Sequence, residues 1–214
     1  RLLRISKEHP EAEYLLSDTL TYEGQVLMNS ENVPTPGEHS QMNASLAVAT
    51  VHQLLGADFN STEVGQALQT FQGLPGRQEQ IGIVNGVTYI NDATSTMPDA
   101  VITALKAFQD KSIILITGGN DKQLDYTNIK KVAANSNLKK VLLVPGTALA
   151  KLQEEFSPDI IQNMSSTSEA FKVATELAEA GDYVLYSPAA TSFGEFRHEF
   201  DRSDSFKEYV TNLT

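Results

Sequence analysis

The stretch YINDATSTMPDAV, residues 89–101, joins a strand pattern to a helix pattern. A β-prone run from residue 87 ends at Asn91 and Asp92, four small residues follow, and Pro98 then opens an apolar-periodic segment. A strand, a short polar loop and a helix in that order form the repeating unit of a parallel α/β sheet. An amide, a carboxylate and three hydroxyls in one such loop indicate either a binding site or a capped helix.

The same alternation continues along the chain. Strand patterns at 112–117, 140–144, 159–163 and 182–187 alternate with helix patterns at about 98–108, 127–136, 147–155, 168–179 and 203–213. Before them, QIGIV-NG-VTYIN predicts a β-hairpin with Asn85-Gly86 in a tight turn. Strands such as Ile113–Ile116 are apolar on consecutive positions, which requires helices over both faces. The predicted fold class is therefore α/β, with a mostly parallel sheet wound on both sides.

Residues 1–72 follow a different pattern. Strand-like pieces RLLRIS (1–6) and GQVLMN (24–29) precede a Pro/Gly-rich connector at 34–41. A helix is expected from Gln41 to Gly56, and its apolar stripe would comprise Ala44, Ala47, Val48, Val51, Leu54 and Leu55. A second helix fits 61–71, with Asn60 or Ser61 as its cap. The two glycines and the proline of QGLPGRQE, 72–79, predict a domain boundary.

Composition limits the classes of partner. The chain of 214 residues has a net charge of -11, whereas nucleic-acid and anionic-membrane binding both need a basic face. There is no cysteine, hence no disulfide or thiolate metal site, and no apolar run of the roughly 20 residues that span a bilayer. No secretory signal is visible, so we expect a cytoplasmic protein. The sequence starts at Arg1, and we expect it to be part of a longer protein.

Ligands of open α/β sheets sit beyond the carboxyl ends of the strands. Those ends are predicted at 91–96, 117–122 (TGGNDK), 145–147 (PGT) and 187–193 (SPAATSF). Asp92 could accept hydrogen bonds from two vicinal ribose hydroxyls. The alternative is a plain helix start, with Thr96 as N-cap, Pro98 in the first turn and Asp99 in the capping-box position. That alternative does not explain Asn91 and Asp92.

Three further candidates each have a structural alternative. Lys122 follows Gly118-Gly119 and would offer a point charge to a phosphate or carboxylate, or it is a solvated lysine after a glycine turn. Ser192 lies in a hydroxyl-rich loop that would receive a ligand or simply connect two elements. Arg77 lies in the predicted hinge, where it would reach a nucleotide or remain a surface side chain.

Two kinds of site are missing from the sequence. The four histidines show no metal-ligand spacing, and none is paired with an obvious nucleophile. No Gly-x-x-x-x-Gly-Lys-Ser/Thr phosphate loop occurs, because the chain contains no Gly-Lys dipeptide. If the protein uses ATP, we therefore expect the triphosphate to be held by another part of it.

Five motifs in order carry a resemblance to a known family. GEHSQMNASLAVA, GLPGRQE, INDATSTMPDAVITAL, TGGNDKQLD and SPAATSFGEFRHEFDRSDSF together resemble the Mur ligase family, from about residue 30 to the C-terminus. The resemblance implies that residues 1–72 are the C-terminal part of the central ATP-binding domain. It implies that residues 73–214 are the Rossmann-like Mur ligase C-terminal domain, and that the phosphate loop and the Mg²⁺ ligands lie upstream.

The implied activity is ATP-dependent amide formation in peptidoglycan precursor synthesis. D-glutamate would be added to UDP-N-acetylmuramoyl-L-alanine through an acyl phosphate, with ATP and Mg²⁺ as cofactors, by a monomer that binds neither nucleic acid nor membrane. One alternative is a related Mur or folylpolyglutamate-type ligase that adds another amino acid. The other is a non-catalytic Rossmann-like module that binds a nucleotide or a partner. We expect the 214-residue chain alone to be inactive.

The resemblance also implies a role for individual residues. Arg77 would contact the nucleotide, Asp92 the ribose hydroxyls and Asn43 the adenine. Lys122, the implied catalytic residue, would pair with a D-glutamate carboxylate, and the incoming amino acid would also meet Thr96, Ser192 and Phe193. No metal ligand is implied within this chain.

The chain departs from the family pattern at four positions. Thr94 stands where the common motif has lysine, Ser40 where it has asparagine, Glu199 where it has phenylalanine and Ser203 where it has glycine. The first change removes a positive charge from the phosphate side of the expected site. The second removes an amide that would read adenine.

Overall fold

The computed structural model describes residues 4–9 and 11–213. It divides the chain into two compact units, one ending at Gly73 and one beginning at Leu74. The assignment of the first unit to an ATP-binding domain stays a prediction. None of the helices in the described part of the chain is both long and apolar enough to cross a bilayer.

The first unit contains a small sheet. Among residues 4–9 and 11–73 the strands are β1 (Ile5–Ser6), β2 (Tyr14–Leu16), β3 (Thr19–Tyr22) and β4 (Gln25–Asn29), which pair in that order. β1 and β2 run parallel, and the other pairs are antiparallel. GQVLMN is thus a strand as predicted, while of RLLRIS the last two residues form β1 and residues 1–3 lie outside the described part. The hairpin of β2 and β3 was not predicted.

Two helices complete the first unit. Helix α1 (Glu38–Leu55) begins three residues before the predicted start, because the carbonyl of Gly37 accepts from the amides of Ser40 and Gln41. It ends at Gly56, with φ 54°, as predicted. Helix α2 (Ser61–Gln69) is capped by Asn60, whose side chain accepts from the amides of Thr62 and Glu63. Asn60, rather than Ser61, is therefore the cap.

The predicted apolar stripe of α1 is only partly correct, since Val48 is buried and Ala44 packs against the core but the other four residues are exposed. The helix buries Ser45, Val48 and Ala49 against the small sheet, whereas Leu54 is 79% exposed. Apolar residues occur on more than one side of α1, so their spacing alone does not tell which side faces the core.

The second unit alternates strands and helices. Its strands are β5 (Glu79–Val84), β6 (Val87–Asn91), β7 (Ile113–Gly118), β8 (Leu138–Val144), β9 (Ile161–Asn163) and β10 (Tyr183–Tyr186). Its helices are α3 (Pro98–Ala107), α4 (Asn128–Ala133), α5 (Leu149–Glu155), α6 (Thr167–Leu177) and α7 (Glu199–Thr211). β5 and β6 form the predicted hairpin, since Asn85 and Gly86 between them both have positive φ.

Within residues 74–213 the strands form one sheet in the order β5-β6-β10-β7-β8-β9. The β5–β6 pair is antiparallel, and the other four pairs are parallel. β10, the last strand along the chain, lies between β6 and β7 and pairs with both. The prediction of a mostly parallel α/β sheet with helices on both faces is confirmed.

Two cores cover the two faces of this sheet. Consecutive residues of β7 alternate between them, with Ile113 and Leu115 in one core and Ile114 and Ile116 in the other. The first core includes residues of α3, α4 and α5, and the second includes residues of α6 and α7. This alternation explains the run of consecutive apolar residues in the strands.

Two helix starts differ from their predictions. Met97, not Thr96, is the N-cap of α3, and no side chain caps that end; Pro98 takes the first helical position. Helix α7 begins at Glu199, four residues before the predicted start, because the Nδ1 of His198 accepts from the amide of Asp201. An imidazole cap is outside the usual set of capping residues, so the sequence did not signal it.

The aromatic core under α7 provides a stability test. Phe206 is fully buried and its ring packs against the rings of Phe171 and Tyr186, whereas Phe200 on the same helix is 57% exposed. We expect Phe206→Ala to lower the free energy of unfolding by about 3–5 kcal/mol, because it leaves a cavity. Phe200→Ala should change it by less than about 0.5 kcal/mol. Urea unfolding of the two variants checks this, and equal effects would contradict the assignment.

Candidate functional site at the carboxyl edge of the sheet

The connections of the sheet diverge around β10. The helices that follow β6 and β7 contribute to one core, whereas α7, which follows β10, contributes to the other. Neighbouring strands therefore send their chains to opposite faces, and a crevice opens beyond their carboxyl ends. The loops that border this crevice start at Asp92 after β6, Ser187 after β10 and Gly119 after β7.

Asp92 lies at the crevice but is only 6% exposed. Its Oδ1 accepts from the amide of Gln78 at 3.1 Å, and its Oδ2 accepts from the hydroxyl of Ser187 at 2.7 Å. Burial raises the pKa of Asp92 to about 7, because desolvation disfavours the carboxylate and these hydrogen bonds offset only part of that cost. Both oxygens thus hold the loops together, and a ribose would have to use their remaining lone pairs.

Asn91 has a structural role. Its amide nitrogen donates to the hydroxyl of Ser203 at 2.9 Å and to the carbonyl of Ser203 at 3.3 Å, while its Oδ1 accepts from the amide of Ala93. The serine that replaces the family glycine therefore anchors the end of β6 to α7. Ser203 also packs closely against Gly76, since a Cβ at residue 76 would lie 2.6 Å from the Ser203 hydroxyl.

Arg77 is exposed and lies in a turn next to the β6–α3 loop. Its amide donates to the carbonyl of Leu74, and the residues on either side, Gly76 and Gln78, both have positive φ. Gly76 accepts from Thr94, and Gln78 donates to Asp92. The backbone under Arg77 is therefore fixed to the loop that carries Asp92.

Lys122 and Thr96 are in contact. The Nζ of Lys122 donates to the hydroxyl of Thr96 at 3.1 Å, which joins the loop after β7 to the loop after β6. Thr96 is free for this contact because Met97 replaces it as the cap of α3. A cation and a hydroxyl side by side form a site for a carboxylate or phosphate oxygen.

Asn120 links three loops. Its backbone amide donates to the backbone carbonyl of Thr191 at 3.0 Å, and its backbone carbonyl accepts from the backbone amide of Thr191 at 2.9 Å. Its side chain donates to the carbonyl of Phe193 and accepts from the amide of Thr147. Ser192 is consequently held between two residues that are both bonded to Asn120.

Arg202 on α7 is 2% exposed. Its Nε and one terminal nitrogen donate to the carbonyl of Ala93, and its other terminal nitrogen donates to the carbonyl of Ala190. Burial lowers the pKa of the guanidinium, because a charged group loses its hydration there. Through these bonds, Arg202 joins the loop after β6 to the loop after β10.

The glycines of TGGNDK have a packing role. A Cβ at Gly118 would lie 2.5 Å from the carbonyl of Val144, and one at Gly119 would lie 2.4 Å from the carbonyl of Thr191. Both residues also have φ near 130°, a region that side chains rarely adopt. These contacts account for both glycines without a ligand.

A cleft of 410 Å³ opens beside these loops, on the side of α6. Ser192 and Phe193 line it together with residues 165–167 at the start of α6, Tyr186 and Arg202. The carboxylate of Glu195 closes one side by accepting from the amide and hydroxyl of Thr167, at 3.0 and 2.5 Å. Of the predicted substrate residues in the described chain, Ser192 and Phe193 border this cleft, and Thr96 and Lys122 lie outside its lining.

The site residues predicted from the sequence thus fall into three pairs in the second unit and one residue in the first. Asp92 and Arg77 belong to one hydrogen-bonded loop pair, and Lys122 is bonded to Thr96. Ser192 is buried and Phe193 is 62% exposed, and both lie in the loop that Asn120 holds. Asn43 belongs to the first unit, where it is exposed on α1. Their roles toward ligands stay predictions.

Two residues of this network were not predicted as site residues. Asn120 and Arg202 make their contacts with loops 12 to 109 positions away in sequence, which local patterns do not show. The only signal for Asn120 was its place after two glycines at a strand end.

Two of the residues that depart from the family pattern lie outside this network. Glu199 is the first residue of α7, and the hydroxyl of Ser40 donates to the carbonyl of Pro36 inside the first unit.

The donor set suits part of a nucleotide site. Arg77 provides an exposed cation beside a buried carboxylate, which fits the nucleoside side of ATP. Among the described residues, no group of three or more His, Cys, Asp or Glu side chains could hold a metal ion.

The buried carboxylate predicts a pH-dependent stability. The pKa of Asp92 is raised from 3.8 to about 7, so the folded unit keeps a proton that the unfolded chain has released between these values. The contribution to stability is full below about pH 4 and is lost as the pH rises through about 7, by up to about 4 kcal/mol. The stability of wild type relative to Asp92→Asn should therefore fall over that range in urea unfolding.

The control for this measurement is Asp204→Asn, an exposed aspartate on α7. It should keep the wild-type pH profile. A difference between wild type and Asp92→Asn that stays constant from pH 4 to pH 8 would show that Asp92 is not desolvated in solution.

Comparison with known proteins gives relatives along most of the chain. The UDP-N-acetylmuramoylalanine–D-glutamate ligase of Aquifex aeolicus is 36% identical over 201 residues, which are 92% of this chain and 46% of that protein. The enzyme of the same name from Roseiflexus sp. is 36% identical over 194 residues, 88% of this chain and 41% of the relative. The chain thus spans less than half the length of these relatives.

Solved structures share the fold at low sequence identity. The MurF ligase of Thermotoga maritima in complex with ADP has a TM-score of 0.64 at 17% identity, covering 99% of this chain and 49% of that one. The folylpolyglutamate synthase of Mycobacterium tuberculosis complexed with ADP has a TM-score of 0.63 at 17% identity, covering 95% and 48%.

The family itself is identified by a sequence model. The model of the Mur ligase glutamate ligase domain matches residues 76–190, which are more than half of the chain and include the loops after β6, β7 and β8 and the first part of the loop after β10. This chain therefore belongs to the Mur ligase family and carries its glutamate ligase domain.

Proposed function

We propose that this chain is the C-terminal part of an ATP-dependent ligase that adds D-glutamate to UDP-N-acetylmuramoyl-L-alanine in peptidoglycan precursor synthesis. Family membership supports the reaction class. The relatives that carry this name, at 36–38% identity over 81–92% of the chain, support the choice of amino acid. We further propose a cytoplasmic monomer that acts on small molecules.

The contact between Lys122 and Thr96 is the observation that carries this proposal. It places a cation and a hydroxyl at the crevice of the sheet, where the loops after β6 and β7 meet. A carboxylate of the incoming amino acid would accept from both groups, in a charge-assisted hydrogen bond with Lys122. Lys122 would thus orient the amino acid so that its amine faces the activated substrate.

The loop after β10 would complete the amino-acid site. Asn120 fixes Thr191 and Phe193, so the Ser192 hydroxyl is held in place before a ligand arrives. A preorganised donor loses little entropy on binding. Exposed Phe193 would cover the bound amino acid and exclude water from it.

The nucleotide would be shared with the rest of the protein. ATP supplies the phosphoryl group that activates the substrate carboxylate. In this chain, Arg77 would bind the nucleotide, the remaining lone pairs of Asp92 would accept from the ribose, and Asn43 would meet the adenine. We propose that residues 1–72 are the tail of the central ATP-binding domain. The phosphate loop and the Mg²⁺ ligands would then belong to the upstream part.

The amino-acid specificity can be tested with the full-length protein that carries this chain. We expect ATP-dependent phosphate release in the presence of UDP-N-acetylmuramoyl-L-alanine to be stimulated by D-glutamate, and not by L-glutamate, meso-diaminopimelate or L-lysine. The isolated 214-residue chain, the control, should release no phosphate. Stimulation by another amino acid would favour a related ligase, and release by no amino acid would favour a non-catalytic binding module.

The role of Lys122 can be tested in the same assay. We expect Lys122→Gln to raise the KM for D-glutamate roughly 10- to 100-fold, because a charge-assisted hydrogen bond to the carboxylate is lost. The KM for ATP should stay unchanged. Lys106→Gln, which changes an exposed lysine on α3, is the matched control. A variant at Lys122 with wild-type KM would rule out this contact.

A further inference from the structure

The turn that carries Arg77 depends on contacts from outside it. Gly76 has φ 69° and Gln78 has φ 48°, so the residue before Arg77 and the residue after it both lie in the left-handed region of φ. For Gln78, which has a Cβ, this conformation is unfavourable and persists only where its surroundings hold it. Within the segment, the amide of Arg77 donates to the carbonyl of Leu74 at 3.1 Å and the amide of Gly76 donates to the carboxylate of Glu79 at 2.9 Å. The carbonyl of Gly76 and the amide of Gln78 are instead held from outside the segment.

Two residues of the β6–α3 loop provide the external contacts. The hydroxyl of Thr94 donates to the carbonyl of Gly76 at 2.7 Å, and the amide of Thr94 donates to the same oxygen at 3.1 Å. On the other side of Arg77, the amide of Gln78 donates to Asp92. Arg77 therefore lies between two anchored peptide groups, and one of the anchors is a side chain that the family pattern does not have at this position.

We propose that Thr94 is a positioning residue for Arg77, and that its hydroxyl sets the affinity for the nucleotide by holding the Gly76 carbonyl. The inference rests on the proposed contact between Arg77 and ATP. Thr94 is 6% exposed and its one hydroxyl proton is used by Gly76, so it acts on a ligand through Arg77. The residue that replaces the family lysine thus has a different task.

The shape of the site suits a β-branched residue. The Cγ2 of Thr94 lies 2.8 Å from the place where a Cβ of residue 76 would be, so this methyl fills the space beside Gly76. Valine would keep the methyl and the volume but remove the donor. Thr94→Val is therefore the variant that isolates the hydroxyl, and Thr94→Ser is the variant that keeps it.

Thr103 provides a matched control. Its hydroxyl also donates to a backbone carbonyl, that of Asp99, at 2.7 Å, but it lies on α3 away from the turn. In the full-length protein we expect Thr94→Val to raise the KM for ATP about tenfold, the effect of one lost hydrogen bond that orders a loop. The kcat and the KM for D-glutamate should not change. Thr103→Val should leave all three unchanged, and Thr94→Ser should restore the KM for ATP.

A double-mutant cycle with Arg77→Ala separates positioning from a general loss of structure. We expect Arg77→Ala to raise the KM for ATP, and Thr94→Val to have no further effect in that background. If the two effects add, Thr94 does not act through Arg77 and the inference is wrong. If Arg77→Ala leaves the KM for ATP unchanged, the proposed nucleotide contact fails and the inference fails with it.

Amide hydrogen exchange of the 214-residue chain gives a second readout that needs no activity. The amides of Arg77 and Gln78 should exchange about tenfold faster in Thr94→Val than in wild type or Thr103→Val. If Thr94→Val does not fold, Thr94→Ala takes its place in both experiments. Unchanged exchange at these two amides would show that the hydroxyl does not hold the turn.

Discussion

The insertion of β10 between β6 and β7 is the constraint on which the candidate site depends. β10 comes last along the chain but pairs with two earlier strands, and it is buried on both faces. The helix that follows β10, α7, packs on one face of the sheet, whereas α3 and α4, which follow β6 and β7, pack on the other. The loops after β6, β7 and β10 are therefore brought to one crevice, although Asp92 and Ser187 are 95 positions apart.

Hydrogen bonds between loops, rather than regular structure, then give this crevice its shape. Arg202 joins the loop after β6 to the loop after β10. Asn120 joins the loops after β7, β8 and β10. Asp92 joins Gln78, in the turn before β5, to Ser187 after β10. Each of these three groups is polar and at least partly withdrawn from water, so an unpaired partner would be costly. The loops are consequently preorganised in the absence of a ligand.

The sequence predicted the architecture well because its signals are local and redundant. The Asn85-Gly86 turn, the doubly apolar strands and the alternation with helices each indicated the same α/β sheet. The errors arose where a residue has two competing partners. In one of the two interpretations of its loop Thr96 caps α3, but its hydroxyl accepts from Lys122 and Met97 is the cap. The stripe of α1 was only partly correct because apolar residues occur on more than one side of that helix. The engagement of both Asp92 oxygens depends on Gln78 and Ser187, which spacing does not reveal.

The contact between Ser203 and Gly76 has an evolutionary consequence. The hydroxyl of Ser203 accepts from the side-chain amide of Asn91 and lies 2.6 Å from the place where a Cβ of residue 76 would be. A side chain added at residue 76 would therefore meet Ser203 at 2.6 Å and the Thr94 methyl at 2.8 Å, and it would also have to adopt φ 69°. No single compensating mutation removes all three obstacles, so selection on chains of this kind should keep glycine at residue 76.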